Sequence, residues 1–292
     1  GRKVWRPPFA RGVFGGCVLG QALTACAETV AAGKHVHSMH SYFLLAGKED
    51  VPIVYTVTKL RDGHSFSSRA VSATQDGVCI FHATASFCVA EHSAFRHQAA
   101  MPEAPDPESL LPQEQVWRQV ARDERLPAEY RSFIEGLAKR SGPIDIRYCD
   151  PVSPFAEVRK REPYQRAWVR AKGAVGDSMN LHRCVAAYFS DHVLLSTANR
   201  PHGVKPGGIN MMASLDHTLW FHTPFRADEW MLYEVESPFS GDNRGFCLGR
   251  LFTRDGRLAV SVAQEGVIRL AQPDEADVAP PPAKAPPAAS KL

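Results

Sequence analysis

No two cysteines of this chain are spaced C-x-x-C, and the seven present are odd in number and irregular in spacing. That argues against both a disulfide framework and a zinc ribbon, and points to a reducing compartment. No apolar run reaches the ~18 residues of a spanning helix, and the first residues lack a charged start followed by an apolar stretch and a cleavage site. Neither a membrane span nor a secretory signal is expected. An excess of charge is missing too: a formal net charge of +3 over 292 residues is too small to announce a nucleic-acid partner, although it suits a phosphate-bearing small molecule.

Several catalytic signatures are absent as well. "GHSFS" at Gly63 to Ser67 lacks the final glycine of a nucleophile elbow. "GGCVLGQA" carries the glycine spacing of a phosphate loop from Gly15 to Gly20, but Gln21 and Ala22 stand where the lysine and the hydroxyl residue are needed. His217 and His222 have opposite strand parity and no helical i, i+4 spacing, so no shared metal is expected. His37 and His40 in "VHSMHSYF" are assigned to structure. The glycines at 12, 15, 16 and 20 are read first as close helix–sheet packing, with exposed amides for a carbonyl or a phosphate as the functional alternative.

What is present is 44% hydrophobic and 22% charged residues, ordinary for a globular chain long enough for about two domains. The stretch from Ser41 can be laid on that from Leu219, bringing Phe43, Tyr55 and Val57 onto Phe221, Tyr233 and Val235, and Asp76-Gly77 onto Asp255-Gly256 after a one-residue gap. Each Asp-Gly pair lies between alternating apolar runs, the signal of a hairpin with a two-residue turn. A helical pattern precedes each copy, "FGGCVLGQALTACAETVAA" and, more weakly, "MNLHRCVAAYFSDHVLL". The reading is α+β, helix plus antiparallel sheet, twice: a first domain over 1–90, a linker region over 91–162 with a short helix around "EQVWRQVARDERL", and a second domain over 163–270. Residues 271–292 are Pro/Ala-rich and read as an extended tail. Its last residues, Ser290, Lys291 and Leu292, match the peroxisomal S-K-L address.

Strand parity nominates a polar set. Ser237 shares a face with Tyr233 and Val235; Gln264 shares one with Val260, Val262 and Ile268; Asp216 goes with Ser214, Thr218 and Trp220. A buried amide or carboxylate without partners is unfavourable by ~1 to 3 kcal/mol, so these three are expected to satisfy one another. Such a set can activate and align a water, with general-base assistance worth ~10² to 10⁴ in rate; it can equally be a structural polar cluster. The first copy has Ser38 opposite Asp216 and Ala85 opposite Gln264, so the set occurs once, as one active site requires.

The blocks "VFGGCVLGQAL", "VHSMHSYFLLAG", "TKLRDGHSFSSRAV", "SLDHTLWFHTPF" and "AQEGVIR" together resemble the type II acyl-CoA thioesterases, from Val13 to Arg269. The resemblance implies a double hotdog fold, two antiparallel sheets each wrapped around a long helix. It implies hydrolysis of acyl-CoA to fatty acid and coenzyme A by a water held by Asp216, Ser237 and Gln264, with no acyl-enzyme and no metal or redox cofactor. Acyl-CoA substrates, a peroxisomal import receptor and a homo-oligomer are the implied partners, and the peroxisomal matrix the implied location. An acyl-CoA-binding or scaffolding protein without turnover is the competing class, and a hotdog hydratase a weaker one, since His217 points away from Asp216 by parity. The family pattern has glutamine where this chain has Cys17, and a segment upstream of Gly1 is expected.

Overall fold

The computed structural model describes residues 4–7, 10–139, 142–150, 160–204 and 208–271. Ser290, Lys291 and Leu292, and the tail from residue 272, lie outside the described residues.

Helix α1, Gly15–Ala27, is followed by β1 (Lys34–Phe43), β2 (Val54–Asp62), β3 (Phe66–Gln75) and β4 (Val78–Val89). After α2 (Gln113–Ala121) and α3 (Ala128–Lys139) come β5 (Ile144–Tyr148), β6 (Tyr164–Ala171), α4 (Met179–Ser190), β7 (Ile209–Ser214), β8 (Asp216–Phe221), β9 (Met231–Gly241), β10 (Arg244–Thr253) and β11 (Leu258–Leu270). The segment between the two repeats is therefore more than a connection: β5 lies inside it and pairs with β6 from Ile144↔Ala171 to Tyr148↔Ala167.

The strands form one antiparallel sheet in the order β2-β3-β4-β1-β8-β11-β10-β9-β6-β5, with β7 on β11. The two repeats meet where β1 pairs with β8, from Ser38↔Trp220 to Tyr42↔Asp216. This is the architecture of two hotdog domains joined edge to edge. Helices α1 and α4 lie against each other on the inner face, over a core that includes Leu19, Leu23, Met39, Phe81, Phe87, Phe189, Tyr233 and Val260. Truncating such a side chain to alanine is expected to destabilise by about 2–5 kcal/mol.

Glycine sets the closeness of that helix pair. A Cβ on Gly16 would stand 2.1 Å from the Tyr188 carbonyl oxygen, and one on Gly20 would stand 3.0 Å from that of Cys184. Of the four glycines expected to fit helix to sheet, Gly16 and Gly20 thus fit helix to helix, while Gly15 lies against Phe43 of β1. The Asp76-Gly77 pair makes the two-residue turn read from the sequence, both residues at positive φ (49° and 79°). Asp255-Gly256 sits instead inside a four-residue connection, because the Thr253 hydroxyl bonds Asp255 (2.5 Å) and accepts from the Arg257 amide (3.1 Å), holding both arginines out of the ladder. The second repeat has its two-residue turn one hairpin earlier, between β9 and β10, at Asp242-Asn243 with φ of 50° and 57°.

Candidate active site

Gln264 is fully buried on the inner face of β11, where an apolar strand face leaves a primary amide in need of partners. It finds two. Its Oε1 faces His217 Nδ1 at 2.5 Å, and its Nε2 donates to Ser214 Oγ at 2.6 Å. The Ser214 hydroxyl in turn donates to Asp191 Oδ1 at 3.4 Å, and the Gly16 amide donates to Asp191 Oδ2 at 3.0 Å. Since Oε1 only accepts, His217 carries its proton on Nδ1. Every donor in the chain His217, Gln264, Ser214 then points toward the Asp191 carboxylate.

The carboxylate sits at an electrostatically contested position. Burial raises the Asp191 pKa to about 7, against the opposing pull of the Gly16 amide, Gln264 and Ser214. Asp191 nevertheless keeps partial exposure. Burial depresses His217 to about 4, so the ring is neutral near pH 7, and its Nε2 lies 2.9 Å from the Ser190 hydroxyl. Tyr233, reaching from β9, donates to the Ser190 carbonyl at 2.8 Å and so fixes the end of α4 from which Asp191 projects. A Cβ on Gly249 would stand 2.6 Å from the Tyr233 ring, so glycine is what admits that ring. Gly15 does the same for Asp191 itself: its Cβ would come 2.7 Å from Oδ2.

Among the three residues expected from parity, only Gln264 belongs to this network. Asp216 is half-buried on the opposite face, where its Oδ1 accepts the Glu265 amide at 2.7 Å; burial raises its pKa, opposed by that bond. Ser237 is on the inner face but two strands from Gln264, with Cys247 of β10 between, and its hydroxyl donates to the Phe246 carbonyl at 2.8 Å. The expected mutual bonds among Asp216, Ser237 and Gln264 do not form.

The reason is a bulge at Leu215. Ser214 pairs with Gly266 and Thr218 with Ala263, so four steps along β7 and β8 face three along β11. One extra residue reverses the alternation. Ser214 and His217 therefore both face Gln264, while Asp216 turns outward. Parity counted without the bulge put Ser214 with Asp216 and left His217 aside. Asp191 had a signal that went unread: an acidic residue at the C-terminal end of a helix opposes the helix dipole, so its presence calls for a compensating reason.

Among the described residues no group of three or more His, Cys, Asp or Glu could hold a metal ion, and no helix is long and apolar enough to cross a membrane.

Comparison with known proteins places the chain. The model of the acyl-CoA thioesterase family matches residues 139–267, and that of the acyl-CoA thioesterase N-terminal domain matches residues 2–88. Acyl-coenzyme A thioesterase 8 of Mus musculus is 49% identical over 271 residues, covering 92% of this chain and 84% of that protein. The solved structure of the acyl-CoA thioesterase II TesB2 from Mycobacterium marinum superposes with a TM-score of 0.70 at 36% identity, over 88% of this chain and 90% of that one. A protein of unknown function with a hot dog fold from Alicyclobacillus acidocaldarius, 15% identical, covers 91% of each chain with a TM-score of 0.69 and speaks for the fold alone.

Proposed function

Because the chain belongs to the acyl-CoA thioesterase family and is a thioester hydrolase, we propose that it cleaves acyl-CoA with a water activated by Asp191, whose carboxylate Ser214 and Gln264 hold in place. Gln264 is kept from the sequence reading, and Asp191 and Ser214 stand in place of Asp216 and Ser237. The observation that carries this is the convergent chain of donors on a partly exposed carboxylate poised near neutrality.

A general base serves best when its pKa lies near the working pH. Asp191 takes the proton of the water as its oxygen attacks the thioester carbon. Collapse of the tetrahedral adduct breaks the C–S bond, releasing fatty acid and the coenzyme A thiolate, which recovers the proton. Ser214 and Gln264, braced by neutral His217, hold the carboxylate in one orientation, so little reorganisation is needed at the moment of attack.

The S-K-L tripeptide at 290–292 supports a role in peroxisomal lipid metabolism through an import receptor. Exposed Tyr42, Phe66, Trp220 and Phe239 support pairing of this chain with a second copy. Import of a tagged chain with and without the tripeptide, and the mass of the purified protein in solution, test these two readings.

For the chemistry, the test is thiol release from a panel of acyl-CoAs by the parent chain and by folded Asp191→Asn, Gln264→Ala and Asp216→Asn. Collapse of turnover in the first two with retention in the third is expected. Collapse in Asp216→Asn alone would return the base to the outer face, and binding of acyl-CoA without thiol release by the parent would make this a binding protein.

A further inference from the structure

Immediately after Asp191 stands His192, whose ring closes a wall of aromatic side chains. Its centroid lies 4.4 Å from that of Phe14, 5.5 Å from Tyr188 and, stacked, 6.3 Å from Trp5. Phe14 packs edge-on against Trp5 at 5.5 Å and Tyr188 at 5.3 Å. The wall belongs to the reaction centre by construction. Phe14 precedes the two glycines whose backbone meets Asp191, its amide donates to the Trp5 carbonyl at 2.9 Å, and Tyr188 lies one helical turn before His192. All four residues are half-buried, so the wall is open on one side.

One atom in this wall is not accounted for. His192 Nε2 is buried and has no hydrogen-bond partner among the described residues. A buried polar atom left unpaired is unfavourable, and in either tautomer Nε2 needs a donor or an acceptor. Burial holds the ring's pKa near 4, so it offers a neutral partner and no charge. The three ring contacts fix its orientation, and phenylalanine would keep the stacking equally well. The polar atom therefore serves something that packs into the half-buried wall and takes the place of what now covers it.

Resting on the thioesterase reading above, we propose that His192 is a substrate-contact residue: Nε2 hydrogen-bonds an amide of the pantetheine arm while Trp5, Phe14 and Tyr188 enclose the methylenes beside it. The chemistry matches on both counts. That arm alternates short apolar segments with secondary amides, which offer both an N–H and a carbonyl and so satisfy Nε2 in either tautomer. An aromatic enclosure with one neutral hydrogen-bonding atom fits such a ligand better than it fits a phosphate or a bare acyl chain. Anchoring the arm here places the thioester against the neighbouring Asp191.

The test compares His192→Phe, which keeps the stacked ring, and His192→Gln, which restores a hydrogen-bonding amide, with the parent. Three substrates are used: decanoyl-CoA, the decanoyl N-acetylcysteamine thioester, which keeps one amide, and S-ethyl decanethioate, which has none. Loss of a hydrogen bond that the site was built to make predicts a roughly tenfold fall in kcat/KM for His192→Phe on the two amide-bearing substrates, recovery in His192→Gln, and no change on S-ethyl decanethioate. The same pattern is expected in the Kd of S-decyl-pantetheine, a thioether that is not cleaved. An equal loss on all three substrates would reduce His192 to a structural role, and no loss on any would overturn the proposal. Should the parent cleave no thioester, the reading of function falls, and the thioether Kd still decides whether His192 contacts the arm.

Discussion

The two repeats close the C-terminal ends of their long helices with opposite charges. Beyond α1, the fully buried Arg69 donates through Nε to Thr29 Oγ1 at 2.8 Å and through Nη2 to the Thr29 carbonyl at 3.0 Å, and pairs with Asp62 at 2.6 Å. A cation there complements the helix dipole. Beyond α4 stands the Asp191 carboxylate, which the local dipole opposes and which the start of α1 holds through Gly16. The sheet beneath differs in the same sense: Ala85 and Gln264 occupy matching places in the repeat, and both are fully buried. One end is built for stability; the other holds a carboxylate against its local dipole, at the reaction centre proposed above.

Exchanging charge for neutrality at the second end breaks this comparison most severely. Asp191→Asn is expected to lower kcat/KM by about 10³-fold or more while leaving the fold intact, as thiol-release kinetics and circular dichroism would show. At the first end the effect is on folding instead. Arg69→Ala leaves the Thr29 carbonyl without its donor and a cavity where the buried side chain stood, while exposed Asp62 stays solvated; urea titration should find about 2–4 kcal/mol lost, with the folded fraction still turning over normally.

Gln264→Ala removes the link between His217 and Ser214, for a fall of ~10- to 100-fold in kcat/KM and a smaller loss of stability. Its mirror, Ala85→Gln, buries an amide where the first repeat offers none; about 1–3 kcal/mol of destabilisation and unchanged kinetics are expected.

The pH dependence is the mildest probe and has a definite sign. In the proposed mechanism Asp191 works as the anion, so kcat/KM should rise with pH through about 7 and then level off. Its contribution to stability runs the other way: with the folded pKa raised, it is complete below the ordinary carboxylate range and lost as pH rises through about 7. Neutral His217 behaves oppositely, its contribution being complete above about 6.5 and lost as pH falls through about 4. Asp191→Asn should abolish the stability limb near pH 7 and leave the acidic one, which thermal unfolding across pH would show.

Much of this molecule could be read along the chain, because the relevant physics is local. Alternating apolar runs and small-residue helical spacing specify strands and helices, and their recurrence shows the repeat. Asp76-Gly77 specifies its own turn through two positive φ values, and Gln264 betrayed itself as an amide on an apolar face. The five separated sequence blocks carried the family. The Asp255-Gly256 turn was misjudged by two residues because Thr253 and Arg257 bond around it, which pair spacing does not reveal.

The identity of the carboxylate lay beyond such reading. Parity is a rule about unbroken strands, and a single inserted residue at Leu215 sends Asp216 outward and brings Ser214 and His217 inward. Asp191 belongs to no strand. It meets Ser214 where the end of α4 reaches β7, and it receives the Gly16 amide because α1 and α4 pack closely at Gly16 and Gly20, bringing the start of one repeat's helix to the end of the other's. Local periodicity determined the elements, their repetition and the amide. Which aspartate joins the network of Gln264 was decided by one bulge and one helix end, both of which are relations between segments far apart in the chain.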